Sequence, residues 1–284
     1  MAILAGAAAN WVVLFIGFTI WYNLTEQTAL NPAVYAAAWA LGLIGVFAGV
    51  GLTPAGEAFF RLLQGCRRPI RAEAEKLTPA FEDICRTAKV NPSRYRLFVS
   101  DDKFPNAFAI GRRTICVTRS LLTGSTEEEL QGVLAHELAH HIHGDAARNI
   151  VFFMTSLIGQ ILMLVGLLIG NILNLFNPSR YLWNGGIISI LLSLLISVVV
   201  LVLSIAIWLF QIFVWIPIFV VSSFGGRQQE YRADLYTAQL GYSDGLLAFL
   251  NRILDLDGRP SGFMGLLYRT HPKTGDRIRR LEDM

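Results

Sequence analysis

The chain has 284 residues with a mean hydropathy of +0.48; 54% of them are hydrophobic and 16% charged. A typical soluble domain carries roughly 25% charged residues, so these values exclude a disordered chain and argue against an ordinary soluble enzyme. The net charge of +3 is small and evenly mixed, which argues against a nucleic-acid partner.

Charge is distributed in blocks. Residues 1–60 hold no Lys or Arg and only two acids, Glu26 and Glu57. Residues 61–148 hold 14 basic and 11 acidic residues, residues 149–224 only Arg180, and residues 225–284 nine basic and eight acidic. The alternation is that of a membrane protein whose polar part is split in two. A bilayer crossing needs about 20 apolar residues. The first candidate covers residues 3–24 and lacks the basic start of a signal peptide. The second covers residues 33–52, after a turn at Asn31-Pro32. The third covers residues 150–176. The fourth stretch, residues 187–222, would be about 54 Å long as one helix, so it reads as one span that continues out of the bilayer, with a kink at Pro217. Arg61, Arg67, Arg68 and Arg71 follow the second span, and Arg227 and Arg232 follow the fourth. This bias puts both polar segments and both termini in the cytoplasm. The three cysteines, Cys66, Cys85 and Cys116, have no C-x-x-C spacing and read as free thiols of a reducing compartment.

Within the first polar segment, residues 95–99 and 114–118 read as strands. Ser125 reads as the N-cap of a helix with Glu128 at its third position. That helix carries His136-Glu137-Leu138-Ala139-His140, an H-E-x-x-H pattern. Residues four apart share a helical face, so the two imidazoles can hold one zinc ion, with Glu137 placed to take a proton from a water there. Four of the five histidines, at 136, 140, 141 and 143, fall within eight residues, which a merely polar helix face does not explain. The metzincin pattern is excluded, because Ile142 and Ala146 stand where it needs Gly and His. His141 and His143 read as surface or supporting side chains. A third ligand is available in Glu230, whose partner Asp234 can accept a hydrogen bond from a ligand histidine and fix its tautomer. His136 and Glu230 can share a metal only if an even number of crossings separates them, which the long fourth helix satisfies.

The His136–His140 motif with downstream Glu230-x-x-Ala233-Asp234 resembles the HtpX-type membrane zinc metallopeptidases, gluzincins related to the CAAX prenyl protease. Asn106-Ala107-Phe108-Ala109 and His271-Pro272 with Arg277-Ile278 resemble further segments of that family. The resemblance implies one Zn2+ per chain, held by His136, His140 and Glu230, with Glu137 as general base. It implies an edge strand carrying Asn106, Ala107 and Phe108 that pairs with an extended peptide. It also implies His271 near the metal as an oxyanion stabiliser and Arg277 as a partner of the site carboxylates.

The expected architecture is therefore a mainly α membrane protein with about four transmembrane helices and a cytosolic α+β gluzincin-like domain containing a small antiparallel sheet. Residues 1–60 form the first helix pair and 61–148 the first catalytic part. Residues 149–224 form the second pair and 225–284 the second catalytic part. The expected activity is zinc-dependent cleavage of damaged or misfolded membrane proteins at a bacterial inner membrane. Its partners are polypeptide substrates, the lipid bilayer and, as family likeness suggests, further copies or other quality-control proteases. The alternative is a catalytically silent zinc-binding adaptor, which needs a fourth protein ligand; His143 is the nearby candidate. A transporter is disfavoured, because the spans carry no ionisable residue at mid-depth.

Overall fold

A computed structural model of the chain describes residues 31–175, 186–210, 216–254 and 274–284, with scattered positions between 11 and 22. His271 and Pro272 lie outside the described residues, as does most of the expected first span.

Helix α1 (Pro32–Gly51) leads after a short turn into α2 (Pro54–Leu63) and strand β1 (Cys66–Arg67). Helix α3 (Arg71–Thr87) follows, then β2 (Arg96–Ser100), β3 (Ala107–Ile110) and β4 (Thr114–Thr118). The short α4 (Arg119–Gly124) precedes α5 (Glu127–Ile142), and α6 runs over Asp145–Leu175. The remaining helices are α7 (Ile187–Phe210), α8 (Ile216–Gln239), α9 (Ser243–Leu254) and α10 (Thr274–Glu282).

The sheet is mixed, where the sequence suggested an antiparallel one. Its order is β1-β2-β4-β3: β1 pairs antiparallel with β2, β2 parallel with β4, and β4 antiparallel with β3. The tight β3–β4 turn, with Gly111 at a left-handed φ of 59°, places β3 outside β4. The chain therefore re-enters the sheet beside β2 in the direction of β2. Strand β3 is left at the edge.

The chain divides into two compact units. One comprises residues 46–153 and 222–284, and contains the sheet with α5, α9 and α10. Its core joins Leu77, Phe81 and Ile84 of α3 to Val99, Ile115 and Val117 of the sheet, Leu130, Leu134 and Leu138 of α5, and Leu246 and Leu250 of α9. Helices α5 and α9 touch backbone to backbone. A Cβ on Gly132 would collide with Gly245 and Leu246, and one on Gly245 with the Glu128 carbonyl. The other unit comprises residues 2–45 and 154–221, and its described residues lie almost entirely in apolar helix.

Among the described residues one helix is long and apolar enough to cross a bilayer, Ala33–Gly51, with mean hydropathy 1.9; a shorter apolar run covers Ile190–Val202. The fourth hydrophobic stretch, expected as one helix, is described as α7 and α8, with residues 211–215 between them outside the described residues. Pro217 is the second residue of α8, a position that suits proline because an N–H there has no helical partner.

Candidate metal centre

The N-cap of α5 is Thr126, one residue later than the sequence suggests. The Thr126 hydroxyl accepts from the Glu129 N–H at 3.2 Å, and the Glu129 carboxylate accepts from the Thr126 N–H at 3.0 Å. Ser125 is already engaged with the preceding helix, because its N–H and its hydroxyl both donate to the Leu121 carbonyl. Three glutamates in the first turn of α5 oppose the positive end of the helix dipole. The helix is buried on nearly every side from Glu129 to His140.

His136, Glu137 and His140 are all buried. The two imidazoles meet edge to face, 4.8 Å between ring centroids, with their Nε2 atoms 3.2 Å apart. Glu230, on α8, is buried against them. Its Oε2 lies 3.2 Å from His136 Nε2, and its Oε1 lies 3.4 Å from His140 Nε2. One ligand atom from each of the three residues falls within a span of 4.8 Å. Two imidazole nitrogens and one carboxylate oxygen, all buried and converging, form a donor set that suits zinc with one coordination position open. His143 is outside this cluster. Its ring packs edge-on against Tyr236, 5.5 Å between centroids, so among the described residues the cluster has three members.

The back of each imidazole faces a different carboxylate. His136 Nδ1 lies 3.0 Å from Asp234 Oδ1. His140 Nδ1 lies 3.4 Å from Asp145 Oδ2. Asp145 is the first residue of α6, fully buried, and its other oxygen receives Arg232 at 2.6 Å and Arg148. The sequence reading assigned no role to Asp145. It stands five residues after His140, off the i+4 face, and only the left-handed turn at Gly144 (φ 72°) carries it back. The Gly144-Asp145 pair, separated from the motif by three residues, is the local signal for it.

Arg277, from α10, completes the cluster. It donates to both oxygens of Asp234, at 2.9 and 2.6 Å, and lies 3.2 Å from Glu230. Burial works against its charge, but Asp234 and Glu230 outweigh that and hold the guanidinium protonated still more firmly than usual. Burial likewise opposes ionisation of Asp234, yet Arg277 and His136 hold its carboxyl below the ordinary aspartate range. For His136 and His140, burial disfavours the charged ring; the facing carboxylates prevail, and both titrate above an ordinary histidine. Glu137 sits close enough for its charge to act on His140 and Arg277. His141 does something else: its Nε2 donates to the Thr114 carbonyl at 2.9 Å, fastening α5 to β4.

Asn106 stands just before the edge strand, which Ala107 opens. The Asn106 carbonyl accepts from the Thr118 N–H at 2.8 Å, and its N–H donates to the Thr118 hydroxyl at 2.8 Å. Ala107 is buried, Phe108 half-buried, and β3 packs beside α5.

The chain is similar to several curated proteins, each described as a protease HtpX homolog. The relative from Lactobacillus acidophilus is 30% identical, over 75% of this chain and 74% of its own. The one from Campylobacter concisus is 27% identical, over 71% of this chain and 73% of its own. The one from Dictyoglomus thermophilum is 25% identical, over 100% of this chain and 94% of its own. The fold is similar to the crystal structure of S. mikatae Ste24p, with TM-score 0.51 and 16% identity, covering 95% of this chain and 61% of that one. The model of peptidase family M48 matches residues 71–284, which include the three clustered ligands, their carboxylate partners and the edge strand. The chain thus belongs to peptidase family M48 and is a metallopeptidase.

Proposed function

We propose that the protein is a membrane-embedded zinc endopeptidase that cleaves extended segments of damaged or misfolded membrane proteins on the cytosolic side of a bacterial inner membrane. The observation that carries this reading is the convergence of His136, His140 and Glu230 around one point, with Glu137 buried beside it. One Zn2+ held by these three supplies a Lewis acid for the scissile carbonyl and acidifies a water. Glu137 accepts the proton of the attacking water and returns it to the leaving amine nitrogen. Asp234 and Asp145 hold the two imidazoles so that each presents Nε2 to the cluster. Arg277 keeps Asp234 ionised and pairs with both carboxylates, holding them in place. His271 is assigned as the oxyanion donor on family resemblance.

The edge strand β3, which Asn106 leads into and which carries Ala107 and Phe108, receives the substrate as an added strand, a sequence-tolerant mode suited to unfolded chains. The edge position of β3 beside the helix of the metal ligands supports this role. Four spans are proposed, residues 3–24, 33–52, 150–176 and the first part of 187–222. Large apolar side chains exposed along α6 and α7, among them Leu164, Leu168, Leu191, Leu194 and Leu201, support a lipid environment for these helices.

The test compares wild type with Glu137→Gln, each purified in detergent under chelator and then given zinc, on an unfolded protein substrate. Zinc-dependent cleavage in wild type and a loss of several orders of magnitude in the variant is the expected result. Equal silence of both, with zinc bound, would favour the adaptor.

A further inference from the structure

Helix α2 has two faces with different neighbours. Its inner face holds the β3–β4 turn. The Glu57 carboxylate accepts from the Arg112 N–H at 2.6 Å and from the Thr114 hydroxyl at 3.0 Å. Arg61 donates to the same hydroxyl at 3.2 Å and lies over the Phe98 ring. Phe60 packs edge-on against Phe153. Gly111 sits so close to Glu57 that a Cβ there would overlap its side chain. The outer face is exposed and apolar: Ala55, Ala58, Phe59, Leu62 and Leu63. Leu62 is 78% exposed, Leu63 53% and Phe59 42%.

The position of this face follows from the chain before it. Helix α1 carries the apolar segment Ala33–Gly51, and α2 begins at Pro54. The Leu52 and Thr53 N–H groups donate to Gly49 and Val50, and the Thr53 hydroxyl caps Gly56. Gly56 then lies against the Val50 carbonyl, where any Cβ would collide. A continuous helix would hold residues 50 and 56 about 9 Å apart. The chain therefore folds sharply, and α2, about 15 Å long, starts at the level at which α1 ends. Arg112 and Arg113, at the turn held by Glu57 behind this helix, are exposed.

On the reading that residues 33–51 span a membrane, we propose that the outer face of α2 lies in the headgroup–acyl boundary of the leaflet on the catalytic side. Phe59, Leu62 and Leu63 enter the apolar layer, and Arg112 and Arg113 meet anionic headgroups. Because Glu57 ties this helix to the turn at the end of β3, the contact fixes the height of the edge strand above the bilayer. The substrates selected are then polypeptide segments lying along the membrane surface. A second copy of the chain is a poorer occupant: three large side chains on a ten-residue helix offer on the order of 300 Å², against the roughly 800 Å² per partner of a stable interface.

The experiment places a nitroxide on Leu62→Cys in the full chain, carrying Cys66→Ser and Glu137→Gln and reconstituted in phosphatidylcholine–phosphatidylglycerol vesicles. Collision with oxygen and with a water-soluble nickel chelate is measured, with Val46→Cys and Arg71→Cys as references. High oxygen and low nickel accessibility at 62, close to the values at 46 and unlike those at 71, is the expected result. High nickel accessibility at 62 while 46 stays protected overturns the proposal. Exclusion of both probes at 62 also overturns it, because protein then covers the face. Nickel accessibility at 46 overturns the spanning reading itself. In the active chain, Leu62→Glu should lower cleavage of a lipid-anchored peptide about tenfold while leaving the same peptide free in solution nearly unaffected; an equal loss on both overturns the proposal.

Discussion

Asp145 and His140 face each other across 3.4 Å, carboxylate oxygen to Nδ1, and this contact ties the start of α6 to the metal-binding helix. Asp234 makes the corresponding contact with His136 at 3.0 Å. The two ligand histidines are thus oriented by carboxylates from different helices, each neutralised by its own arginines. Asp145→Asn retains the size of the side chain but weakens the acceptor and frees Arg148 and Arg232. Loss of such a supporting carboxylate typically costs about 10–100-fold in metal affinity. A zinc-competition titration with a chromogenic chelator on purified protein should show a loss in that range, with helical content retained.

Arg277 lies within salt-bridge distance of both Glu230 and Asp234. Arg277→Leu leaves two buried carboxylates without that partner, a change that costs about 3–5 kcal/mol. Arg277→Lys retains the charge but loses the two-pronged geometry, and it should recover only part of the loss. Denaturant unfolding of the zinc-free protein in detergent, followed by tryptophan fluorescence, should rank wild type above Lys above Leu.

The contact between Gly132 and Gly245 predicts an unusually severe effect from a single methyl group. Gly132→Ala should raise helix propensity in isolation by about 1 kcal/mol. In the folded protein it forces α5 and α9 apart and displaces the helix that carries both histidines. Lower thermal stability and weaker zinc retention are expected together. A rise in melting temperature would show that the two backbones can part freely.

His141 makes the fold acid-sensitive. Burial pushes its pKa down to about 4, while the unfolded chain binds a proton near 6.5. The unfolded state therefore holds the extra proton between these values, and stability falls as pH drops from about 6.5 to 4. The full loss is on the order of 3 kcal/mol. His141→Gln should flatten that part of the melting-temperature profile; an unchanged slope would assign the acid sensitivity to other groups.

The parts of the site that repeat along a helix were legible in the sequence. The i, i+4 pairs His136/His140 and Glu230/Asp234 mark single faces, and the structure brings those faces together. The parts set by chain reversals were not. Asp145 depends on one left-handed glycine, and the cap at Thr126 depends on Ser125 having bonded backward to Leu121. The mixed sheet escaped for a related reason: alternation shows that residues 114–118 form a strand but is silent about which neighbour it joins and in which direction. Arg277 was approachable only through family resemblance, because nothing local to α10 points to a partner 43 residues upstream.

The cluster draws on residues far apart in the order of synthesis. His136 precedes Glu230 by 94 positions and Arg277 by 141. A ribosome must therefore add 141 residues after His136 before Arg277 can reach its carboxylates. Until then the growing chain carries the His136–His140 motif without its complete surroundings. The order of elements thus delays full assembly of the cluster until both sequence segments of the unit have been made.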